Sequence, residues 1–90
     1  MQNGTLQLGN EAIAAEYEII VHQDRQLHLR QVTGTLRLKE RPRAELARAM
    51  ANMGRAILIL DNGRAQPIQL ASSPDEFTAS FDVLPPIVCV

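Results

Sequence analysis

The stretch Arg55-Ala-Ile-Leu-Ile-Leu-Asp-Asn-Gly-Arg-Ala-Gln-Pro-Ile-Gln-Leu70 contains two runs of strand-forming residues, one on each side of Asp61-Asn62-Gly63. Asn and Gly tolerate the positive φ angles of a tight primed turn, so this pattern predicts a β-hairpin. Its first arm includes Ile57-Leu58-Ile59-Leu60, the densest apolar run in the chain. We expect this hairpin to be the centre of one small sheet or barrel that the other strands join.

Alternating apolar residues predict further strands before the hairpin. Thr5–Leu8, followed by Gly9-Asn10, is typical of a short edge strand that ends in a turn. The segment Glu11–Gln23 predicts a long, half-buried strand, because one of its faces carries only apolar or aromatic residues. These are Ala15, Tyr17, Ile19 and Val21.

The return strand changes the phase of its apolar positions. In the first half of the strand the apolar residues are odd-numbered, namely Leu27 and Leu29. In the second half they are even-numbered, namely Val32, Leu36 and Leu38. A β-bulge near Arg30 and Gln31, or a bend at Gly34, would restore a single inward face. Because long bent strands are typical of small closed barrels, we expect a barrel rather than a flat sheet.

A helix is predicted between this strand and the hairpin. Pro42 is suited to a first helical position and Gly54 to the residue after the last, so the helix is expected over Pro42 to Met53. Leu46, Met50 and Met53 form a stripe on one helix face, which we expect to cover one end or face of the barrel.

The C-terminal part begins as a strand and ends as an apolar tail. Phe77, Ala79, Phe81 and Val83 alternate with polar residues and predict a last strand with its aromatic side chains inward. Pro67 cannot donate a ladder hydrogen bond, which predicts a local sheet edge in the second hairpin arm. In the tail, Leu84 to Val90, two prolines favour an extended backbone.

These segments predict an α+β fold that is mainly β. We expect a small, bent antiparallel sheet of about five to seven strands that closes into a partly open barrel, with one helix inserted before the central hairpin. The barrel is expected to span residues 1–83 as one domain, followed by an apolar tail over 84–90. Ninety residues do not suffice for two cores.

Composition limits the cellular context. With 46% hydrophobic and 21% charged residues, the chain has an ordinary globular balance. No apolar run approaches the roughly 20 residues that span a bilayer, and the N-terminus has no signal-peptide pattern, so we expect no membrane segment. Cys89 is the single cysteine, which excludes an internal disulfide and favours a cytoplasmic protein.

Positive charge is concentrated in the middle of the chain. All nine basic residues lie between Arg25 and Arg64, and this segment has a net charge of +6 although the whole chain has −1. Its densest part is Arg37, Lys39, Arg41 and Arg43, which leads from a strand into the predicted helix N-terminus. Arginine binds phosphate and carboxylate bidentately, so these four residues form a candidate site for an acidic partner or a phosphate-bearing ligand.

The alternative is that these charges are neutralised within the sheet. Glu16 and Glu18 on the adjacent strand would then pair with Arg30, Arg37 and Lys39. We expect no nucleic-acid binding, because the net charge is close to zero and the few aromatic residues are all predicted to point inward.

The run Arg37-Leu38-Lys39-Glu40-Arg41 is similar to the RxxxR element of PilZ-type cyclic-dinucleotide receptors, which are themselves small barrels. That family also has an Asp/Asn-x-Ser-x-x-Gly element, and no such run follows in this chain. The chain is therefore not assigned to that family.

The inventory of reactive groups does not predict an enzyme. His22 and His28 could face each other across a turn, but two histidines without a third ligand do not define a metal site. No glycine-rich phosphate loop and no nucleophile elbow occurs. We expect neither catalysis nor a cofactor nor a bound metal.

The apolar tail suggests self-association. Ile87, Val88 and Val90 would form an exposed apolar patch in water, so they are expected to pack either on a second copy, as a two-fold dimer, or on their own barrel.

The sequence therefore favours a non-enzymatic interaction or adaptor domain that self-associates and binds an acidic partner. The alternative is a small sensor domain that binds a phosphorylated ligand or nucleotide near the helix N-terminus. A structural assembly protein is not distinguished from the adaptor.

Overall fold

A computed structural model of the chain describes residues 1–24, 26, 29–52, 54–73 and 75–89. Within these residues there are six strands and one helix: β1 (Gln2–Leu8), β2 (Glu11–Asp24), β3 (Leu29–Leu38), α1 (Ala44–Ala51), β4 (Arg55–Ile59), β5 (Ala65–Ser72) and β6 (Thr78–Val83). The predicted fold class, α+β and mainly β with one helix before the central hairpin, is confirmed.

The strands form a closed antiparallel barrel in the order β1-β2-β3-β6-β5-β4. Closure is made by β1 and β4, which pair from Thr5↔Ile59 to Gln7↔Ile57. The prediction of a partly open barrel is wrong in this respect, and so is the prediction of β1 as an edge strand, since β2 pairs with its other side. Alternation within a segment does not reveal closure, because closure joins strands that are far apart in the sequence.

β5 lies between β4 and β6, so it is not an edge strand over its whole length, but its register with β6 ends at Ile68↔Val83 and Pro67 lies at a local edge, as predicted. The Pro67 carbonyl accepts a hydrogen bond from Leu84 N at 3.0 Å. In a strand, the N and O atoms of one residue point toward the same neighbour, so the missing N–H of Pro67 faces the place where β6 has just ended.

The central hairpin is present, but its turn is longer than predicted. Leu60 N donates to Arg64 O at 2.8 Å, and Gly63 N donates to Leu60 O at 2.9 Å. Three residues, Asp61 to Gly63, therefore form the loop, with Gly63 in the left-handed region at φ 84°. This is the pattern of a three-residue hairpin loop that ends in a left-handed glycine, not of a two-residue primed turn.

The β2–β3 pairing has no bulge. Its register runs without a shift from Ala15↔Leu38 to Asp24↔Leu29, so the bulge predicted near Arg30 and Gln31 is wrong. The even-numbered positions of β3 face inward, and Val32, Leu36 and Leu38 are buried. Of the two residues that suggested a phase change, Leu27 lies outside the described residues and Leu29 pairs with Asp24. The register shift that does occur lies between Leu70 and Ser72, in the β5–β6 pairing.

Gly34 lies on the inward side of β3, under the ring of Phe81. A Cβ atom at this position would collide with the Phe81 ring and with the carbonyl oxygen of Glu18. Phe81 is 1% exposed and is one of the larger side chains of the core. The absence of a side chain at Gly34 therefore makes the space that Phe81 fills.

Phe77 does not follow the predicted inward pattern and is 38% exposed. The strand begins one residue later, because Asp75 Oδ1 accepts hydrogen bonds from Phe77 N at 2.7 Å and from Thr78 N at 2.8 Å. These bonds hold a turn at the position where alternation alone predicts a strand.

Helix α1 is shorter than predicted. It begins at Ala44 rather than Pro42, because Arg43 still has extended backbone angles, and Asn52 closes it by donating to Arg48 O at 3.1 Å. Leu46 and Met50 are buried in the barrel core, as expected. Met53 lies outside the described residues. The helix connects the end of β3 to the start of β4, and its buried residues belong to the barrel core, so it covers the end of the barrel at which β3 finishes and β4 begins.

Replacing Gly34 by alanine tests the packing under Phe81. We expect Gly34→Ala to lower the free energy of unfolding by about 1–3 kcal/mol, because either the Phe81 ring or the backbone must move. Equilibrium unfolding in urea measures this change. Gly54→Ala is the matched control: a Cβ there meets nothing within 4 Å, so we expect a change within about 0.5 kcal/mol. Equal effects of the two substitutions would contradict this account.

Candidate functional site

The four basic residues predicted to bind an anion are all exposed and lie near the end of the barrel that α1 covers. Arg37 is in β3, Lys39 and Arg41 are in the connection to α1, and Arg43 is the residue before the helix. The sequence thus places them on one continuous segment that follows the rim.

These side chains are divided between two hollows. Arg41 and Arg43 border a hollow of about 340 Å³ together with Glu11 and Glu40. Arg37 and Lys39 border a second hollow, of about 260 Å³, together with Glu16. Each hollow therefore contains carboxylates as well as cations, which weakens the local attraction for an anion.

Acidic side chains also face individual members of the segment. Glu16 is opposite Arg37 in the β2–β3 register, whereas Glu18 is opposite Thr35. In the described part of the chain, one ion pair within 4 Å is formed, between Arg41 Nε and Glu76 Oε2 at 3.4 Å. Both side chains of this pair are mostly exposed, so we expect it to contribute at most about 1 kcal/mol. Among the described side chains, Glu16 and Glu18 form no ion pair within 4 Å with Arg37 or Lys39, so the predicted neutralisation across the sheet is limited to the position of Glu16 opposite Arg37.

Asp75 adds a further fixed negative charge beside this segment. The hydrogen bonds that its carboxylate accepts from the N–H groups of Phe77 and Thr78 lower the pKa of Asp75, and the positive charge of Arg37 acts in the same direction. The carboxylate is therefore ionised over the whole neutral range, close to the residues that were expected to attract an anion.

The helix N-terminus is bordered by charges of both signs. Arg43, at the N-cap, makes no side-chain capping hydrogen bond, and Glu45 lies in the first turn. A carboxylate in the first turn interacts favourably with the helix dipole and so occupies the electrostatic role that a bound phosphate would take. The predicted phosphate site at this position stays a prediction.

The C-terminal tail is anchored by Gln66, which is 0% exposed and faces inward from β5. Its Nε2 atom donates to the carbonyl oxygens of Pro67, Leu84 and Pro86, at 2.9, 2.8 and 3.2 Å. Its Oε1 atom accepts from Val88 N at 2.7 Å and from Cys89 N at 3.2 Å. One buried amide thus holds the tail against the end of the barrel at which β6 finishes.

The three tail residues predicted to mediate self-association have different surroundings. Val88 is half-buried and packs against the barrel core, together with Cys89. Ile87 is 42% exposed. Val90 lies outside the described residues. Of the two predicted destinations of the tail, the structure shows docking on its own barrel, which leaves Ile87 at the surface.

The Gln66 anchor can be tested by removing its hydrogen bonds. Gln66→Leu keeps a side chain of similar size but leaves the tail carbonyls and N–H groups without their partner. We therefore expect the free energy of unfolding to fall by at least about 2 kcal/mol. Urea unfolding measures the loss, and Gln7→Leu, at an exposed position, is the control with a change within about 0.5 kcal/mol. A stable Gln66→Leu protein would show that the tail is held by other contacts.

Tyr17 links β2 to the loop of the central hairpin. Its hydroxyl accepts a hydrogen bond from Asp61 N at 3.0 Å and lies 3.3 Å from Asp61 Oδ1, to which it donates. Burial raises the pKa of Tyr17, and the nearby Asp61 carboxylate adds to this, although the bond from Asp61 N opposes it. The hydroxyl is a structural donor and acceptor and stays protonated at neutral pH.

A feature that the sequence analysis missed is an arm in which β2 has no partner strand on its outer side, defined here as residues 18–24 of β2 and 29–35 of β3; it is two-stranded at its tip, beyond Thr33. β1 pairs with β2 only as far as Gln2↔Tyr17, and β6 pairs with β3 only from Thr33 onward. No strand among the described residues pairs with the outer side of β2 beyond Tyr17. The arm accounts for an elongated molecule, with extents of 43 × 26 × 21 Å.

The arm exposes apolar side chains on both of its faces. Ile20 is 40% exposed and Val21, its neighbour on the opposite face, is 43% exposed. The sequence does contain a signal for this surface: Ile19-Ile20-Val21 interrupts the alternation of apolar and polar residues in β2. Val21 belongs to the predicted apolar face of β2 with Ala15 and Tyr17, but unlike them it is not buried, because β2 extends beyond the barrel core at this point.

The reactive groups of the described residues do not converge. His22 Nε2 lies 3.2 Å from Thr33 Oγ1 on the neighbouring strand, and His28, its predicted partner, lies outside the described residues. Within those residues no group of three or more His, Cys, Asp or Glu side chains could hold a metal ion.

The one helix among the described residues, α1, has eight residues, and no helix there is long and apolar enough to cross a membrane. No family model matches this chain, and neither a curated protein nor a solved structure matches it. The function must therefore be inferred from the geometry alone.

Proposed function

We propose that this protein is a non-enzymatic interaction domain that self-associates as a dimer. The observation that supports this proposal best is the arm, in which β2 continues beyond the last residue that β1 pairs. A β-strand with one unpaired side carries a row of free backbone donors and acceptors, and these bind another strand readily.

The composition of the arm supports binding rather than protection of this edge. Natural proteins block exposed edges with lysine, proline or a bulge, and none of these occurs between Glu18 and His22. Instead, Ile20 and Val21 place apolar surface on both faces of the strand. Burying such surface against a partner is favourable by roughly 25 cal/mol per Å².

The arm replaces the tail as the main self-association surface in this proposal. The tail residue Val88 is already engaged by Gln66 through its backbone N–H. Ile87 is exposed but lies outside the arm, so the proposal assigns it no contact between copies.

Self-association is tested by sedimentation of the full chain over a wide range of protein concentration, up to hundreds of micromolar. We expect a concentration-dependent dimer that Ile20→Lys and Val21→Lys both convert to a monomer, because lysine disfavours pairing at an edge. Ile87→Lys is the matched control in the tail and should leave the dimer intact. A wild-type chain that stays monomeric throughout would contradict the proposal.

An acidic partner and a cytoplasmic location are parts of the same proposal. The exposed segment with Arg37, Lys39, Arg41 and Arg43 supports the first, although carboxylates lie beside it. The chain has a single cysteine and therefore no internal disulfide, which supports the second.

The sensor alternative makes a different prediction for ligand binding. If the protein is an interaction domain, we expect no change in its melting temperature with inorganic phosphate, nucleoside triphosphates or a cyclic dinucleotide at low salt. A sensor would be stabilised by its ligand, by about 2.7 kcal/mol at a hundredfold excess over Kd. A ligand-dependent rise that Arg41→Ala and Arg43→Ala abolish, but Arg64→Ala does not, would favour the sensor.

A further inference from the structure

The direction of the backbone groups in β2 determines how its free edge can pair. Lys39 N donates to Ala14 O at 3.0 Å, so the even-numbered residues of β2 direct their N–H and C=O groups toward β3. The odd-numbered residues direct theirs toward β1. Beyond Tyr17, where β1 has ended, the backbone groups of Ile19 and Val21 therefore point to the unpaired side.

These groups are self-complementary about Ile20. If a second copy approaches antiparallel with a two-fold axis at Ile20, Ile19 lies opposite Val21 of the other copy. The four resulting N–H···O=C bonds use every strand donor and acceptor that these two residues present. The two Ile20 residues then form a non-hydrogen-bonded pair, in which side chains approach most closely.

The side chains on the outer face match in the same register. Glu18 of each copy lies opposite His22 of the other, so an acceptor faces a donor on both sides of the central Ile20 pair. Such cross-strand pairs stabilise a sheet by about 0.2–1 kcal/mol each. The apolar centre and the two flanking polar pairs give one short, symmetric interface.

Neighbouring axes do not give this match. An axis at Val21 would place Glu18 opposite Asp24, two acidic residues. An axis at Ile19 would bring Val21, one of the two residues with free backbone groups, opposite Tyr17, whose position on that side is already paired with Gln2. With the axis at Ile20 it is Gln23 that comes opposite Tyr17, so the pairing between copies ends at His22. The axis at Ile20 alone combines free backbone groups with compatible side chains.

We propose that the partner of the arm is a second copy of this chain, bound by antiparallel β2–β2 pairing over residues 18–22 with the two-fold axis at Ile20. This inference rests on the proposed function, since it specifies the interface of the dimer. The two arms then form one continuous sheet in the order β3-β2-β2-β3, with a barrel at each end.

Disulfide trapping tests the position of the axis. In a Cys89→Ser background, Ile20→Cys places two cysteines opposite each other at a non-hydrogen-bonded pair, within reach of a disulfide. We expect nearly complete covalent dimer on mild oxidation. Val21→Cys is the matched control: the two Val21 residues lie on opposite sides of the axis, too far apart for a disulfide, so we expect little covalent dimer. Both positions are exposed in the monomer, and circular dichroism checks that each variant folds.

Charge reversal provides a second measurement. Glu18→Lys puts a cation opposite His22 at both ends of the interface, and we expect a dimer roughly 2- to 30-fold weaker, from two cross-strand pairs. The double variant with Glu18→Lys and His22→Glu restores opposite partners and should recover most of the affinity.

The outcomes separate the inference from the function on which it rests. A covalent dimer through Val21→Cys but not through Ile20→Cys would overturn the axis. A dimer in sedimentation that neither cysteine traps would overturn β2 pairing and leave self-association standing. A monomer at every concentration would overturn both.

Discussion

The pairing of β1 with β4 is the constraint on which the rest of the structure depends, because it closes the barrel. Once the barrel is closed, the backbone groups of the short strands are paired on both sides, and an open edge can arise only where a strand is longer than its neighbour. β2 has 14 residues and β1 has seven, so the excess length of β2 must leave the barrel. The arm thus results from closure of the barrel combined with one difference in strand length.

The barrel has two ends, and the chain covers them in different ways. Helix α1 contributes Leu46 and Met50 to the core and needs no polar contact to do so. The other end is covered by the tail, which has irregular backbone and therefore unpaired polar groups. The buried side chain of Gln66 provides hydrogen-bond partners for these backbone groups. Its amide donates to three carbonyl groups, two of them in the tail, and accepts from two N–H groups of the tail. A buried amide is favourable only when its polar atoms are satisfied in this way.

Much of the fold follows from local sequence, because local rules govern it. The alternation in β2 and β6, the stripe on α1 and the Asn-Gly reversal each reflect contacts within one segment or one hairpin. What the sequence did not reveal depends on distant segments: the closure by β1 and β4, the exposure of Phe77, and the role of Gln66 among apolar neighbours. The candidate site was only partly predictable for the same reason. The sequence showed where the arginines cluster, but not that Glu11 and Glu40 share their hollow or that Ile20 and Val21 lie beyond the barrel.

The contact between Tyr17 and Asp61 has a consequence for spectroscopy. Tyr17 is the sole tyrosine and the chain has no tryptophan, so ultraviolet emission from this protein comes from one phenol. In the native state that phenol is shielded from water and hydrogen-bonded to a carboxylate, which is an efficient quencher of its excited state. We therefore expect the emission of Tyr17 to be quenched in the native state and to increase when its contact with Asp61 is lost, so that this one residue reports on the contact between β2 and the hairpin loop.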